Sequence, residues 1–327
     1  MKKTKLLMLC TLMAPAAIGL VACDNGKTDI GILQYGAFDA LDNARKGFID
    51  GLKEGGFGNL KIDYQNAQAD APANATLAKG LAAKNHKLNL AIATPCATAM
   101  KAAQEAIGST TPLLFTATTD PIGAGLLTNK DAPEGYITGT SDLQPSEALD
   151  NQIKLVKKMN SGAANLGIYY CANEQNSQAQ AELAKAVAAS EGLTVIEKTC
   201  VDANSIKMDI ADLATKVDAI WIPTDNTVAN NIGKVKEGLG ANNTLVIVGE
   251  EGMLSGAHLT ISISYYDLGF KTAELACKIL KGDAIKDIPV FYPTVDTCSY
   301  LYNKANLEAS GFSVADLPSE FTWKEAK

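Results

Sequence analysis

From Thr28 onward, short apolar runs alternate with stretches whose apolar residues recur every three or four positions. The run "DIGILQYG" is followed by "LDNARKGFIDGLKEGG", in which Ala44, Phe48 and Leu52 share one helical face before a glycine stop. Next come the strand pattern "LKIDYQNA", the helix pattern "ANATLAKGLAAKNH", the strand "LNLAIATP", the helix "CATAMKAAQEAIG" and the strand "TPLLFTATT". A glycine- and proline-rich loop covers residues 121–135, and "YITGTSDLQP" is short and extended. Then the alternation restarts and runs from "EALDNQIKLVKKMN" to "TLVIVGEE", with "TVANNIGKVKEGLG" as its last helix pattern. Strands alternating with helices predict a parallel sheet covered on both faces. Two such units in tandem predict an α/β protein of two doubly wound parallel-sheet lobes that share a cleft.

Length and composition agree with this. A chain of 327 residues fits two lobes, and 47% hydrophobic residues suit a globular interior. The N-terminus departs from the pattern. Lys2, Lys3 and Lys5 precede an apolar stretch from Leu6 to Leu20, too short for a membrane span, and small residues follow. This is the outline of a secretory signal peptide over residues 1–22. Leu20-Val21-Ala22-Cys23 resembles a bacterial lipobox, which implies acylation of Cys23, with residues 23–27 as a tether. Without residues 1–22 the chain holds 26 basic and 36 acidic residues, a net charge of −10, so nucleic acid is not an expected partner.

Five cysteines follow Cys23, at 96, 171, 200, 277 and 298. None is spaced for a zinc knuckle, and no metal or other cofactor is expected. Cys171 and Cys200 each end a predicted strand, and one helix joins those strands. They are the pair to test for a disulfide, with free buried thiols the equal alternative. "GAG" at 123–125 lacks the third glycine of a dinucleotide fingerprint, and no phosphate-binding loop motif occurs. Of the two histidines, His86 reads as a helix-end residue and His258 as a loop residue, with no nucleophile motif near either. An enzyme is therefore not expected.

Polar residues at strand carboxyl ends remain, which is where open α/β sheets bind ligands. In the first unit these are Gln34, Thr94 and the stretch Thr116–Asp120. The second unit supplies Asn173, Glu174, Asn176, Thr224, Asp225, Asn226 and Glu250. Hydroxyls and helix-start amides suit a carboxylate, and acidic side chains suit an ammonium, so together they suit a zwitterion. Tyr35, Phe38, Phe115, Tyr170, Trp221 and Tyr265 lie beside them in sequence, with Phe115 and Trp221 read as core.

The motifs "LDNARKGFIDGLKEGGF", "DYQNAQAD", "LFTATTDPIGAGL", "ITGTSDLQP", "NEQNS", "AIWIPTDNTVAN", "VGEEGM" and "YYDLGFKTAELACKILKG" occur in one order across residues 28–285. With them the chain resembles the ABC-transporter substrate-binding lipoproteins of the tryptophan/tyrosine-binding type, which have a type I periplasmic-binding fold. The resemblance implies capture of an amino acid between two closing lobes, an aromatic one as first choice with a branched aliphatic one behind it, and its delivery to a permease and its ATPase. It implies a monomer, lipid-anchored on the extracytoplasmic side of the cell membrane. It implies lobes of residues 28–142 plus 266–287 and of 143–265 plus 288–327. Thr94, Thr118 and Ser141 become candidates for the ligand carboxylate, and Asp225 for its ammonium. Gln34, Phe38, Asp120, Tyr170, Asn176, Asn226 and Glu250 would line or brace the cleft. Phe38-Asp39 stands where family members often carry His-Pro. A sensor that presents an amino acid to a membrane kinase would need the same pocket and anchor, whereas an exported small-metabolite enzyme would need a base or nucleophile that is not evident.

Overall fold

The computed structural model describes residues 28–326. The expected signal segment and the whole tether, residues 23–27 with Cys23, lie outside them. The first lobe holds β1 (Ile30–Gln34), β2 (Ile62–Asn66), β3 (Leu88–Ile92), β4 (Leu113–Thr116) and β5 (Ile137–Gly139). They form a parallel sheet in the order β2-β1-β3-β4-β5. Successive side chains of a strand point to opposite faces, so Ile30 and Ile32 join one core while Leu33 joins another. The first core packs under α1 (Asp39–Leu52), the second under α2 (Ala71–Ala82) and α3 (Thr94–Ala106).

The second lobe runs through α4 (Ser146–Met159), β6 (Asn165–Cys171), α5 (Gln175–Ser190), β7 (Thr194–Cys200) and α6 (Ile206–Ala214). It continues with β8 (Ala219–Ile222), α7 (Asn226–Ala229), α8 (Ile232–Leu239), β9 (Leu245–Val248) and β10 (Leu259–Ile263). The stretch "TVANNIGKVKEGLG", expected as one helix, is broken between α7 and α8. There the Asn231 side-chain amide donates to the Thr227 carbonyl at 2.9 Å, an asparagine competing with the helical ladder.

The chain then returns to the first lobe as α9 (Tyr265–Lys281), which lies against α1. Glycines set how close these helices come. A Cβ on Gly47 would stand 1.9 Å from the Tyr266 carbonyl oxygen, and one on Gly269 1.9 Å from that of Ala44. The glycines of "ARKGF" and "DLGF" thus let two backbones touch. The chain ends in the second lobe with β11 (Cys298–Tyr302), α10 (Lys304–Ala309) and β12 (Trp323–Glu325). The second sheet has the order β12-β11-β10-β9-β8-β6-β7, with β11 antiparallel to β10 and the other pairs parallel.

One expected boundary moves. Residues 288–291 stay with the first lobe, although they were assigned to the second. The Thr138 hydroxyl donates to the Ile288 carbonyl at 2.8 Å, and the Phe291 amide to Gly139 at 3.0 Å. The reason is the edge of β5, whose backbone groups need partners and find them in this returning segment.

Both histidines are buried and hydrogen-bonded. His258 Nδ1 accepts from the Val246 amide at 2.7 Å, which leaves the proton on Nε2, 2.9 Å from the Ser310 hydroxyl. Burial lowers its pKa to about 4. A group depressed in the folded state contributes stability that is complete above its unfolded pKa near 6.5 and is lost as pH falls toward 4. Lowering the pH from 7 to 4 is expected to cost about 3 kcal/mol through His258. Urea midpoints at pH 7 and 4.5 check this: the difference between them should shrink in His258→Asn, and an unchanged difference would refute it.

Candidate ligand-binding site

Strand carboxyl ends of the two lobes meet at a small inner cavity. Phe38, Ala40, Leu41, Ala117 and Thr119 line it from the first lobe, and Asn176, Thr224, Asp225, Asn226, Ala229 and Glu250 from the second. Asp142 and Tyr265, on two segments that cross between the lobes, complete the wall. The space left is about 10 Å³, the limit for one water molecule, so the lobes are drawn together. Outside it a crevice of about 620 Å³ opens between Tyr35, Thr94 and Pro95 on one side and Cys171, Glu174 and Thr227 on the other. Asn176 borders both spaces.

Glu250 follows β9 and is 1% exposed. Neither of its carboxylate oxygens has a hydrogen-bond partner. Burial pushes its pKa up to about 8, and Asp142, Glu251 and Asp39 add their negative fields. Asp142 is also raised by burial, although it accepts from the Thr119 hydroxyl at 2.9 Å and the Tyr265 hydroxyl at 2.7 Å. That second bond ties together two crossing segments. The Thr118 hydroxyl is buried with no partner as well. An unpaired buried polar group costs about 1–3 kcal/mol, and of these two Glu250 lines the cavity.

The amino end of α1 lies at the same place. Its N-cap residue, Phe38, supplies no side-chain hydrogen bond, and Ala40 and Leu41 in its first turn line the cavity. Free amides at a helix start attract an anion. Ala93 and Ala117, following β3 and β4, have φ of 83° and 53°, a left-handed conformation seldom adopted by residues with a Cβ. Such strain clusters where a backbone must present itself to a ligand.

The structure divides the sequence-derived candidates. Phe38, Asn176, Asp225, Asn226 and Glu250 line the inner cavity, and Thr94 lines the outer crevice. Asp225, the expected ammonium partner, is largely engaged by its own lobe. It accepts from the Cys171 amide at 2.7 Å, the Ser177 hydroxyl at 2.8 Å and the Val228 amide at 2.9 Å, three of about four lone-pair sites. Ser141 is spent likewise, donating to the Thr119 carbonyl and accepting from the Leu143 amide.

Gln34, Thr118, Asp120, Ser141 and Tyr170 are not among the lining residues of either space. Gln34 bonds to Gly36, Asp42 and Arg45 within its lobe. Asp120 accepts from the Gly123 amide in its own turn. Tyr170 belongs to the opposite sheet face from Tyr169 and Cys171, and its hydroxyl donates to Glu197 at 2.5 Å. Ala40, Leu41, Asp142 and Ala229, which also line the inner cavity, are not found by the sequence reading. Asp142 lay inside the quoted motif "ITGTSDLQP", where a carboxylate just beyond a strand was the available signal.

A family model described as ABC transporter substrate binding protein matches residues 29–316. The chain belongs to this family. It is a solute-binding protein with the type I periplasmic-binding architecture, and not an enzyme. It is 35% identical to a tyrosine-binding protein of Clostridioides difficile, over 88% of this chain and 83% of that one. An ABC domain from Streptococcus pneumonia, solved in complex with L-Trp, is 32% identical and matches with a TM-score of 0.82, covering 90% of this chain and 99% of the other. The ligand-free, open structure of a Clostridium difficile substrate-binding protein with adhesive properties is 34% identical. It covers 92% of this chain and 100% of the other, with a TM-score of 0.68. At near-equal identity this solute-binding protein superposes better on the ligand-bound relative than on the open one, in keeping with its drawn-together lobes.

Proposed function

We propose that this solute-binding protein is the extracytoplasmic receptor of an ABC importer, that it captures an aromatic amino acid between its lobes, and that it hands the ligand to a membrane permease. The observation that carries the reading is Glu250, a buried carboxylate with no partner, aimed into an interlobe cavity that also receives an uncapped helix start. The ligand ammonium pairs with Glu250, assisted by Asp142. Its carboxylate sits at the first turn of α1, where helix-start amides without a side-chain cap face the cavity. Phe38, Leu41, Tyr265 and Ala229 offer an apolar and aromatic wall for the side chain. The tryptophan complex and the tyrosine-binding relative support this ligand class. The lipobox-like sequence before Cys23 supports a lipid anchor on the outer side of the cell membrane.

Closing on an empty cavity buries an unpaired carboxylate, whereas closing on an amino acid supplies its counter-charge. The ligand thereby favours the closed state through differential affinity, as any ligand-driven closure requires. A thermal-shift screen of refolded, ligand-free protein against the twenty amino acids, nucleosides and sugars tests the reading. Tryptophan, tyrosine or phenylalanine at about 1,000 times the dissociation constant is expected to add about 4 kcal/mol of stability. A shift with sugars or nucleosides alone would overturn it.

A further inference from the structure

Cys171 and Cys200 end the adjacent parallel strands β6 and β7, and they are register partners. Neighbouring strands lie about 4.8 Å apart and registered side chains project to the same face, which puts the two α-carbons inside the roughly 4.4–6.8 Å range that a disulfide spans. Both side chains pack in one cluster with Ile206 and Ile210, and both are free thiols here. The surroundings of the two differ. Cys171 lines the outer crevice, opposite Thr94 and Pro95, while Cys200 is not among the crevice residues and has the Tyr169 hydroxyl beside it.

We propose that Cys171 and Cys200 form a reactive dithiol in the wall of the outer crevice that closes to a disulfide by exchange with a small external disulfide. The Cys171 thiolate attacks the external S–S bond and expels one thiolate, leaving a mixed disulfide on Cys171. The Cys200 thiol, losing its proton to solvent, then attacks the Cys171 sulfur, forming the intramolecular bond and releasing the second thiol. Two protein thiols are oxidised and one external disulfide is reduced to two thiols. The order of attack follows from position, since both residues are 2% exposed but only Cys171 is among the crevice residues. It agrees with the direction of acidity: interaction with the Cys200 thiol lowers the Cys171 pKa, and the same interaction together with burial raises that of Cys200. The product ties the ends of β6 and β7 and closes a long loop, which constrains the unfolded chain. A protein exported from the cytoplasm meets such oxidants.

Native full-length protein treated with bis(2-hydroxyethyl) disulfide and then mapped by peptide mass spectrometry is expected to lose two hydrogens and to yield one peptide pair joining Cys171 to Cys200. Its melting temperature should rise by about 5 °C or more and return on reduction. In Cys200→Ser the reaction should halt with one hydroxyethylthio group on Cys171, whereas in Cys171→Ser the thiol of Cys200 should stay unmodified over the same time. If both cysteines of native wild-type protein remain open to alkylation after treatment, or another pair is joined, the proposal fails. Equal modification of the two single variants would overturn the order of attack. The wild-type mapping stands without either variant, should one of them not fold.

Discussion

Replacing Glu250 by Gln is expected to weaken binding of an aromatic amino acid by about 100-fold or more while leaving the ligand-free protein as stable as before, or more so. The side chain keeps its size and loses its charge. Breaking a buried, hydrogen-bonded charge pair costs about 2–5 kcal/mol, and tenfold in affinity corresponds to 1.4 kcal/mol. The ligand-free stability moves the other way because wild-type Glu250 is a buried carboxyl with two unpartnered oxygens. Calorimetric titration and a melting curve on the same preparation read both effects. A Gln variant that binds as tightly as wild type would remove Glu250 from the ammonium site.

The same residue gives the wild-type protein a pH signature. With the free-state pKa of Glu250 pushed up to about 8, pairing with an ammonium favours the ionised form, and binding releases a proton. Affinity therefore falls as pH drops below about 8, by up to about tenfold per unit, while the ligand ammonium stays charged. The ligand-free closed form follows the opposite course. A carboxyl raised above its unfolded value of 4.5 adds stability that is full below that value and disappears as pH rises through 8. Low pH favours the empty closed state, and neutral to alkaline pH makes closure depend on the ligand.

Which parts of this were legible in the sequence follows from the range of the contacts involved. The alternation of apolar runs with helical stretches reports local burial, so both doubly wound lobes could be read from it. Polar residues just past a strand lie at the sheet's carboxyl edge, and Asn176, Asp225, Asn226 and Glu250 were found that way. Tyr170 was misplaced because a one-residue step reverses the face. Strand period alone separates it from Cys171, but not which of the two faces the neighbouring helix. Asp142 and Tyr265 are 123 positions apart in the chain and meet only because two crossing segments run side by side. No local pattern encodes that. The side-chain partners that engage Asp225 and leave Glu250 free are likewise set by tertiary contacts, so sequence position alone does not separate the two acids.

Asp225→Ala supplies the contrast. One Asp225 oxygen caps α7 through the Val228 amide, and the other holds the Cys171 amide and the Ser177 hydroxyl, so the side chain joins the end of β6 to the starts of α5 and α7. Losing a cap costs about 1 kcal/mol, and each buried donor left without a partner costs about 1–3 kcal/mol more. Against this stands a saving, because burial and the nearby Glu174 raise the Asp225 pKa well above the usual carboxylate range and make the ionised form costly. The net expectation is a loss of about 3 kcal/mol, read as a lower urea midpoint, with the folded fraction still binding ligand more tightly than the Glu250→Gln variant does. The opposite pattern, an Ala variant of full stability that no longer binds, would return the ammonium to Asp225. Measured side by side, the two substitutions separate the acid that holds the ligand from the acid that holds the wall.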